Sequence, residues 1–98
     1  MTARVIAVSG PRAGHLFQLS DTPITIGRSP DNSIVIASQL ASRRHAEIRR
    51  EGGVYVLVDL GSSNGTLLNG KPVQRQILRT GDTFVIGDEV FRFEELPA

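Results

Sequence analysis

Ser42-Arg43-Arg44-His45 places a hydroxyl, two guanidinium groups and an imidazole in four consecutive residues. That is donor chemistry for an anion. Arg offers a planar fork matched to phosphate or carboxylate, Ser an adjustable hydroxyl, and imidazole an N–H able to fix a neighbouring loop. Related signals occur elsewhere. Gly27-Arg28 ends an alternating apolar segment, where the missing Cβ allows close backbone approach or an unusual dihedral and lets the Arg aim off the sheet edge. Gly61-Ser62-Ser63-Asn64-Gly65-Thr66 is built almost wholly of loop formers, and Asn64-Gly65 favours positive backbone dihedrals. A second Asn-Gly, Asn69-Gly70, follows shortly after. Taken singly, the first stretch also reads as a solvated basic turn and Arg28 as a surface residue at a strand end.

The elements that must position these residues read as short strands. Arg4 to Val8 and His15 to Leu19 flank the turn signal Ser9-Gly10-Pro11 and form an expected hairpin, and Ile24 to Arg28 and Ile34 to Ile36 follow. Ala37 to Glu51 is contested between helix and strand, and strand is favoured. Ala37, Leu40, Ala41 and Ile48 fall at helix-compatible spacing with Gly52 as a stop, whereas Ala46 and Ile48 alternate with Glu47 and Arg49 as in a strand. Val54 to Leu60, the longest apolar run, is the expected central strand. Thr66-Leu67-Leu68 and Lys71-Pro72-Val73 flank Asn69-Gly70, and Thr83 to Ile86 with Val90 to Phe93 form a closing hairpin. About ten short strands with turns at regular spacing indicate an all-β sandwich or barrel.

Composition sets the limits. Ninety-eight residues suffice for one small domain, expected over residues 1–98, with one core. With four Phe, one Tyr and no Trp, that core is expected to be mainly Val, Ile and Leu. A net charge of +1 argues against a general nucleic-acid binder, so an anion site must be local. The absence of Cys excludes disulfides and thiolate zinc sites. Two His are too few for a histidine-rich metal site, although counting leaves a carboxylate site for magnesium or calcium open. No apolar run reaches the ~18 residues of a membrane span, and Val5-Ile6-Ala7-Val8 is too short for a signal-peptide core. A soluble, cytoplasmic protein without cofactor, metal or membrane partner is expected.

Gly27-Arg28, Ser42-Arg43-Arg44-His45, Asn64-Gly65-Thr66 and Asn69-Gly70, in this order and spacing, closely resemble the forkhead-associated (FHA) domain from about Gly14 to Phe93. The resemblance implies an eleven-stranded β-sandwich with binding loops at one end. It also implies recognition of phosphothreonine peptides in signalling, with a Ser/Thr kinase or a kinase substrate as partner. By position, Arg28 and Ser42 resemble direct phosphate ligands, with the Arg43 amide and the Ser63 hydroxyl as further ones. Asn64 resembles the clamp on the peptide main chain, and Gly27, His45, Gly65, Thr66 and Asn69 the loop architecture. Arg44 is left between phosphate and solvent. Ala41 and Leu67 depart from the pattern, which often has a larger aliphatic residue and a Phe there. A phosphothreonine carries about −1.5 to −2 charges and three acceptor oxygens, which suits such a donor set.

Two rivals stand beside this reading. Ser42 and His45 with Asp59, Asp82 or Asp88 are the residue types of a hydrolytic triad. In an extended chain, however, residues three apart lie roughly 10 Å from each other, beyond a catalytic hydrogen bond, and no Gly-x-Ser-x-Gly elbow occurs. No enzyme is expected. The alternative binding reading is a nucleic acid or another anion on a basic patch of Arg43, Arg44, Arg49 and Arg50, disfavoured by low net charge and few aromatics.

Overall fold

A computed structural model describes residues 2–97 as two packed antiparallel-rich sheets, with no helix among the described residues. The strands are β1 (Thr2–Ala7), β2 (Leu16–Gln18), β3 (Ile24–Gly27), β4 (Ile34–Val35), β5 (Ala46–Glu51) and β6 (Val54–Asp59). They continue with β7 (Thr66–Leu68), β8 (Lys71–Val73), β9 (Arg75–Ile77), β10 (Thr83–Ile86) and β11 (Glu89–Leu96). One sheet has the order β2-β1-β11-β10-β7-β8 and the other β4-β3-β5-β6-β9. Among the described residues only β3 and β4 pair in parallel.

Alternation decides which side chains turn inward. Ala3, Val5 and Ala7 of β1 are buried while their neighbours are less so, and Phe91 and Phe93 of β11 do the same opposite them. From the second sheet Ile26, Ala46, Ile48, Tyr55 and Leu57 close the core. Tyr55 meets Phe93 across the sheets at 5.9 Å between ring centroids, and Phe84 stacks on Phe91 at 5.4 Å. The core is mainly Ile, Leu and Val as expected, with aromatic rings and Ala added to it. Three of the four Phe are wholly buried at its centre, Ala fills the close approaches, and of the valines only Val5 and Val56 are buried. Each large side chain so buried contributes about 1.5–3 kcal/mol.

The contested segment resolves in favour of a strand over Ala46–Glu51, preceded by irregular chain. Gly52, at φ 62°, serves the β5–β6 turn. Asn69 and Gly70 both have positive φ, 50° and 83°, and connect β7 to β8 as a tight hairpin turn. Pro72 lies on β8, an edge strand, where no ladder donor is missed. The expected central strand is β6, which has neighbours on both sides, though β5 holds the middle of that sheet. Strand β9 was not anticipated, because Arg75, Gln76 and Ile77 are all exposed and show no alternation.

Register gathers the motif-bearing loops. Ile26 pairs with Ala46 and Ala46 with Asp59, so the end of β3, the start of β5 and the end of β6 lie at one level. The chain after Asp59 crosses to the other sheet and enters β7 at Thr66, which faces Ile86 at the end of β10.

Candidate functional site

Gly27 is dictated by close approach. Its φ is not positive, yet an added Cβ would stand 2.2 Å from the Arg43 carbonyl oxygen and 2.9 Å from Asn32 Nδ2. The turn containing Arg43 is thereby drawn onto the end of β3. The Arg43 carbonyl accepts from Asn32 Nδ2 at 2.8 Å and from the Ser29 amide at 3.2 Å. Asn32 is buried and also donates to the Ser29 carbonyl at 2.8 Å, while its Oδ1 has no partner among the described residues. Both carbonyl partners require a donor, which fixes the amide orientation. Sequence reading passed over Asn32, because a lone Asn in the run Ser29-Pro30-Asp31-Asn32-Ser33 looks like ordinary loop composition.

Arg28 is held by its own neck. Its amide donates to the Ser42 carbonyl at 3.0 Å and its Nε to the Ala41 carbonyl at 3.1 Å, leaving both terminal nitrogens of the guanidinium without a protein acceptor among the described residues. Ser42 Oγ accepts the Ser63 amide at 3.0 Å, so its hydroxyl proton points elsewhere. The Arg43 amide also has no acceptor among the described residues. A guanidinium fork, a hydroxyl proton and a main-chain N–H are thus brought together on two linked loops.

His45 is fully buried beneath them. Its Nδ1 accepts the Ser42 amide at 3.0 Å, and its Nε2 lies 2.8 Å from the Gly65 carbonyl. Accepting at Nδ1 leaves the proton on Nε2, which donates to Gly65, so one neutral imidazole ties the Ser42 turn to the Asn64-Gly65 loop. The extended-chain separation expected between Ser42 and His45 does not hold, because Ser42 to Arg44 form a turn that brings the ring back. What the ring meets is the Ser42 amide, and with both nitrogens engaged it has no lone pair for the hydroxyl.

Asp59 organises the other loop. One carboxylate oxygen accepts the Gly61 and Ser62 amides at 3.0 and 3.1 Å, and the other accepts the Ser62 and Thr66 hydroxyls at 2.6 and 2.7 Å. Burial pushes the pKa of this carboxyl up, but the hydrogen bonds outweigh that and hold it below the usual Asp range. Ser62 Oγ in turn accepts the Gly65 amide at 2.9 Å, and Gly65 carries a φ of 83°. Thr66 is wholly buried. Asn64, whose φ is not positive, donates from Nδ2 to the Leu40 carbonyl at 2.7 Å and closes the gap between the loops. The Asp59 hub was missed as architecture, since its partners lie in a loop whose shape exists only in the fold.

The remaining candidates separate from this cluster. Asn69 sits at the far end of β7, bonded to Asp82 and Thr83, and stabilises the β7–β8 turn there. Arg44 pairs with Asp31 at 3.2 Å on the surface, and Arg49 and Arg50 pair with Glu47 and Asp21. The supposed basic patch is therefore largely neutralised. Leu67 points away from the core and Ala41 is buried, so the two departures from the expected pattern leave the loop packing closed. No group of three His, Asp or Glu residues with metal-binding proximity occurs among the described residues.

The family model for the FHA domain matches residues 24–87, from β3 to the turn after β10. The chain belongs to the FHA domain family. Among relatives, the glycogen accumulation regulator GarA of Mycolicibacterium smegmatis is 43% identical over 86 residues, which cover 88% of this chain and 54% of that protein. This FHA domain thus spans about half the length of that relative. A solved structure from a structural and functional analysis of phosphothreonine-dependent FHA domain interactions superposes with a TM-score of 0.91 at 34% identity, covering both chains completely. EmbR of Mycobacterium tuberculosis, solved with a low-affinity phosphopeptide, gives a TM-score of 0.86 at 34% identity over 95% of this chain and 24% of EmbR.

Proposed function

We propose that this FHA domain is a non-catalytic module that binds phosphothreonine-containing peptides and so links proteins in a phosphorylation-dependent way. The observation that carries the reading is the Arg28 and Ser42 pair. Each is locked by one bond to a neighbouring loop, Nε to the Ala41 carbonyl and Oγ from the Ser63 amide, so that the remaining donors are oriented before any ligand arrives. Preorganised, charge-assisted donors suit a phosphate that brings roughly two negative charges. The Arg43 amide and the Ser63 hydroxyl are the further phosphate donors in this reading. Asn64 lies at the rim with Oδ1 open to a peptide N–H, while Gly27, His45, Gly65 and Thr66 hold the loops.

The relatives support the ligand class, since phosphothreonine-dependent interactions and a phosphopeptide complex are described for FHA domains of the same architecture. The partner is then a protein carrying phosphothreonine, a Ser/Thr kinase or its substrate, met in the cytoplasm. An oriented phosphothreonine peptide library beside its unphosphorylated copy tests this. Retention of the phosphorylated library alone, with a flanking preference, is the expected result, and equal retention of both contradicts the reading.

A further inference from the structure

The chain has eleven Lys and Arg side chains. Arg4, Arg44, Arg49, Arg50, Arg75 and Arg92 are in ion pairs. Among the described residues, Arg12, Arg28, Arg43, Lys71 and Arg79 are left without a carboxylate partner. Two of these, Arg28 and Arg43, belong to the loops assigned above to phosphate. Two more stand together elsewhere. Lys71 and Arg79 flank a groove of about 430 Å³ lined by residues of β8 and β9, the edge strands of the two sheets. Leu68, Val73 and Ile77 supply its apolar surface, and Ile77 is 46% exposed.

The acid in the groove is paired with neither cation, and the groove keeps a net positive charge. Asp82 accepts Asn69 Nδ2 at 2.9 Å with one oxygen and the Arg79 amide at 2.8 Å with the other, and forms no ion pair with either side chain. Both of its oxygens are therefore held by uncharged donors, while the two cations remain open.

We propose that this groove is a second binding site, taking an extended, unphosphorylated peptide segment of a partner protein in which an aliphatic side chain is flanked by carboxylates. The aliphatic group covers Ile77 and Val73, and the carboxylates meet Lys71 and Arg79. The free edge of β9 leaves main-chain donors and acceptors open, whereas Pro72 removes the donor on β8, so an extended ligand adding to β9 is favoured over a helix. Two cations beside a carboxylate, with no aromatic ring for stacking, suit an acidic peptide and not a nucleic acid. The Asn69 turn lies at the opposite end of β7 from Thr66, so this groove is separate from the loops assigned to phosphate.

The test is a titration of the 15N-labelled protein with acetyl-Asp-Leu-Asp-Val-Asp-amide and with the same peptide carrying Lys for Asp. The acidic peptide should give saturable amide shifts centred on Lys71, Gln76, Ile77 and Arg79, and the basic peptide none. Lys71→Glu with Arg79→Glu should weaken the acidic peptide about fivefold or more, as expected when two exposed charges are reversed. Ile77→Ser should weaken it while leaving both charges in place. Phosphothreonine titrations of all variants should match the parent, which separates this site from the one at Arg28. Shifts confined to Arg28, Ser42 and Arg43, equal response to the basic peptide, or no saturable response in residues 69–82 overturns the proposal.

Discussion

The Asn64 side-chain amide donates to the Leu40 carbonyl at 2.7 Å, joining the loop after β6 to the loop before β5. Its role is therefore not limited to turn geometry, since the positive φ of that turn belongs to Gly65. Asn64→Ala should weaken a phosphothreonine peptide by about 1–3 kcal/mol, through lost peptide contacts and an unpaired Leu40 carbonyl. Free phosphothreonine should lose less, because only the loosened approach of Ala41 and Ser42 affects it. Asn64→Gly should not restore affinity. Calorimetry with both ligands decides, and full peptide affinity in the Gly variant contradicts the assignment.

Asn32 holds the Arg43 carbonyl, and Asn32→Asp keeps the shape while turning the donor into an acceptor. Two carbonyls would then face a carboxylate. A stability loss of about 1–3 kcal/mol is expected, together with a displaced Arg43 amide resonance and reduced phosphopeptide affinity. A core variant such as Ile48→Val, matched for melting temperature, should keep its affinity. An unchanged Arg43 resonance with normal binding would show that Asn32 does not position this turn.

His45→Ala should act on fold and binding together. It removes a buried ring and leaves the Ser42 amide and the Gly65 carbonyl unpaired, at a cost of about 2–4 kcal/mol. Urea unfolding measures the first effect and peptide titration the second. An unchanged unfolding midpoint with lost affinity would place His45 against the ligand instead.

Acid should unfold the loops through Asp59. Its folded pKa is depressed because hydrogen bonds outweigh burial, so its stabilising contribution is present above the unfolded pKa and disappears as pH falls through the folded one. The window opens at about pH 4 and extends downward. Glu94 and Glu51, lowered by Arg4 and Arg75, act in the same window. Asp59→Asn should be less stable at neutral pH and show a shallower decline below pH 4 in urea midpoints measured across pH. Parallel declines would remove Asp59 from the account.

Strands that face one core were legible in the sequence because alternation is a local signal. Val5 and Ala7 in β1, and Phe91 and Phe93 in β11, announce their faces within a few residues. Arg28 and Ser42 were legible as candidate anion donors for a similar reason, since they carry that chemistry in their types. Strand β9 was silent because all three of its residues are exposed. Asn32 and Asp59 were silent because each acts through backbone groups brought near only by folding. The Ser42 to His45 separation was misjudged because spacing arguments assume a regular chain, and this stretch is a turn.

The proposed role of Arg28 as a preorganised phosphate ligand meets its sharpest test in calorimetric titration of Arg28→Ala with one phosphothreonine peptide and its unphosphorylated twin. The parent protein should bind only the phosphorylated peptide. The variant should lose about 2–5 kcal/mol of that affinity, as when one partner of a desolvated charge pair is removed. Its stability should change by no more than about 1 kcal/mol, the usual worth of one hydrogen bond such as that to the Ala41 carbonyl. Near-parental affinity of Arg28→Ala, or equal binding of both peptides by the parent, would contradict the account.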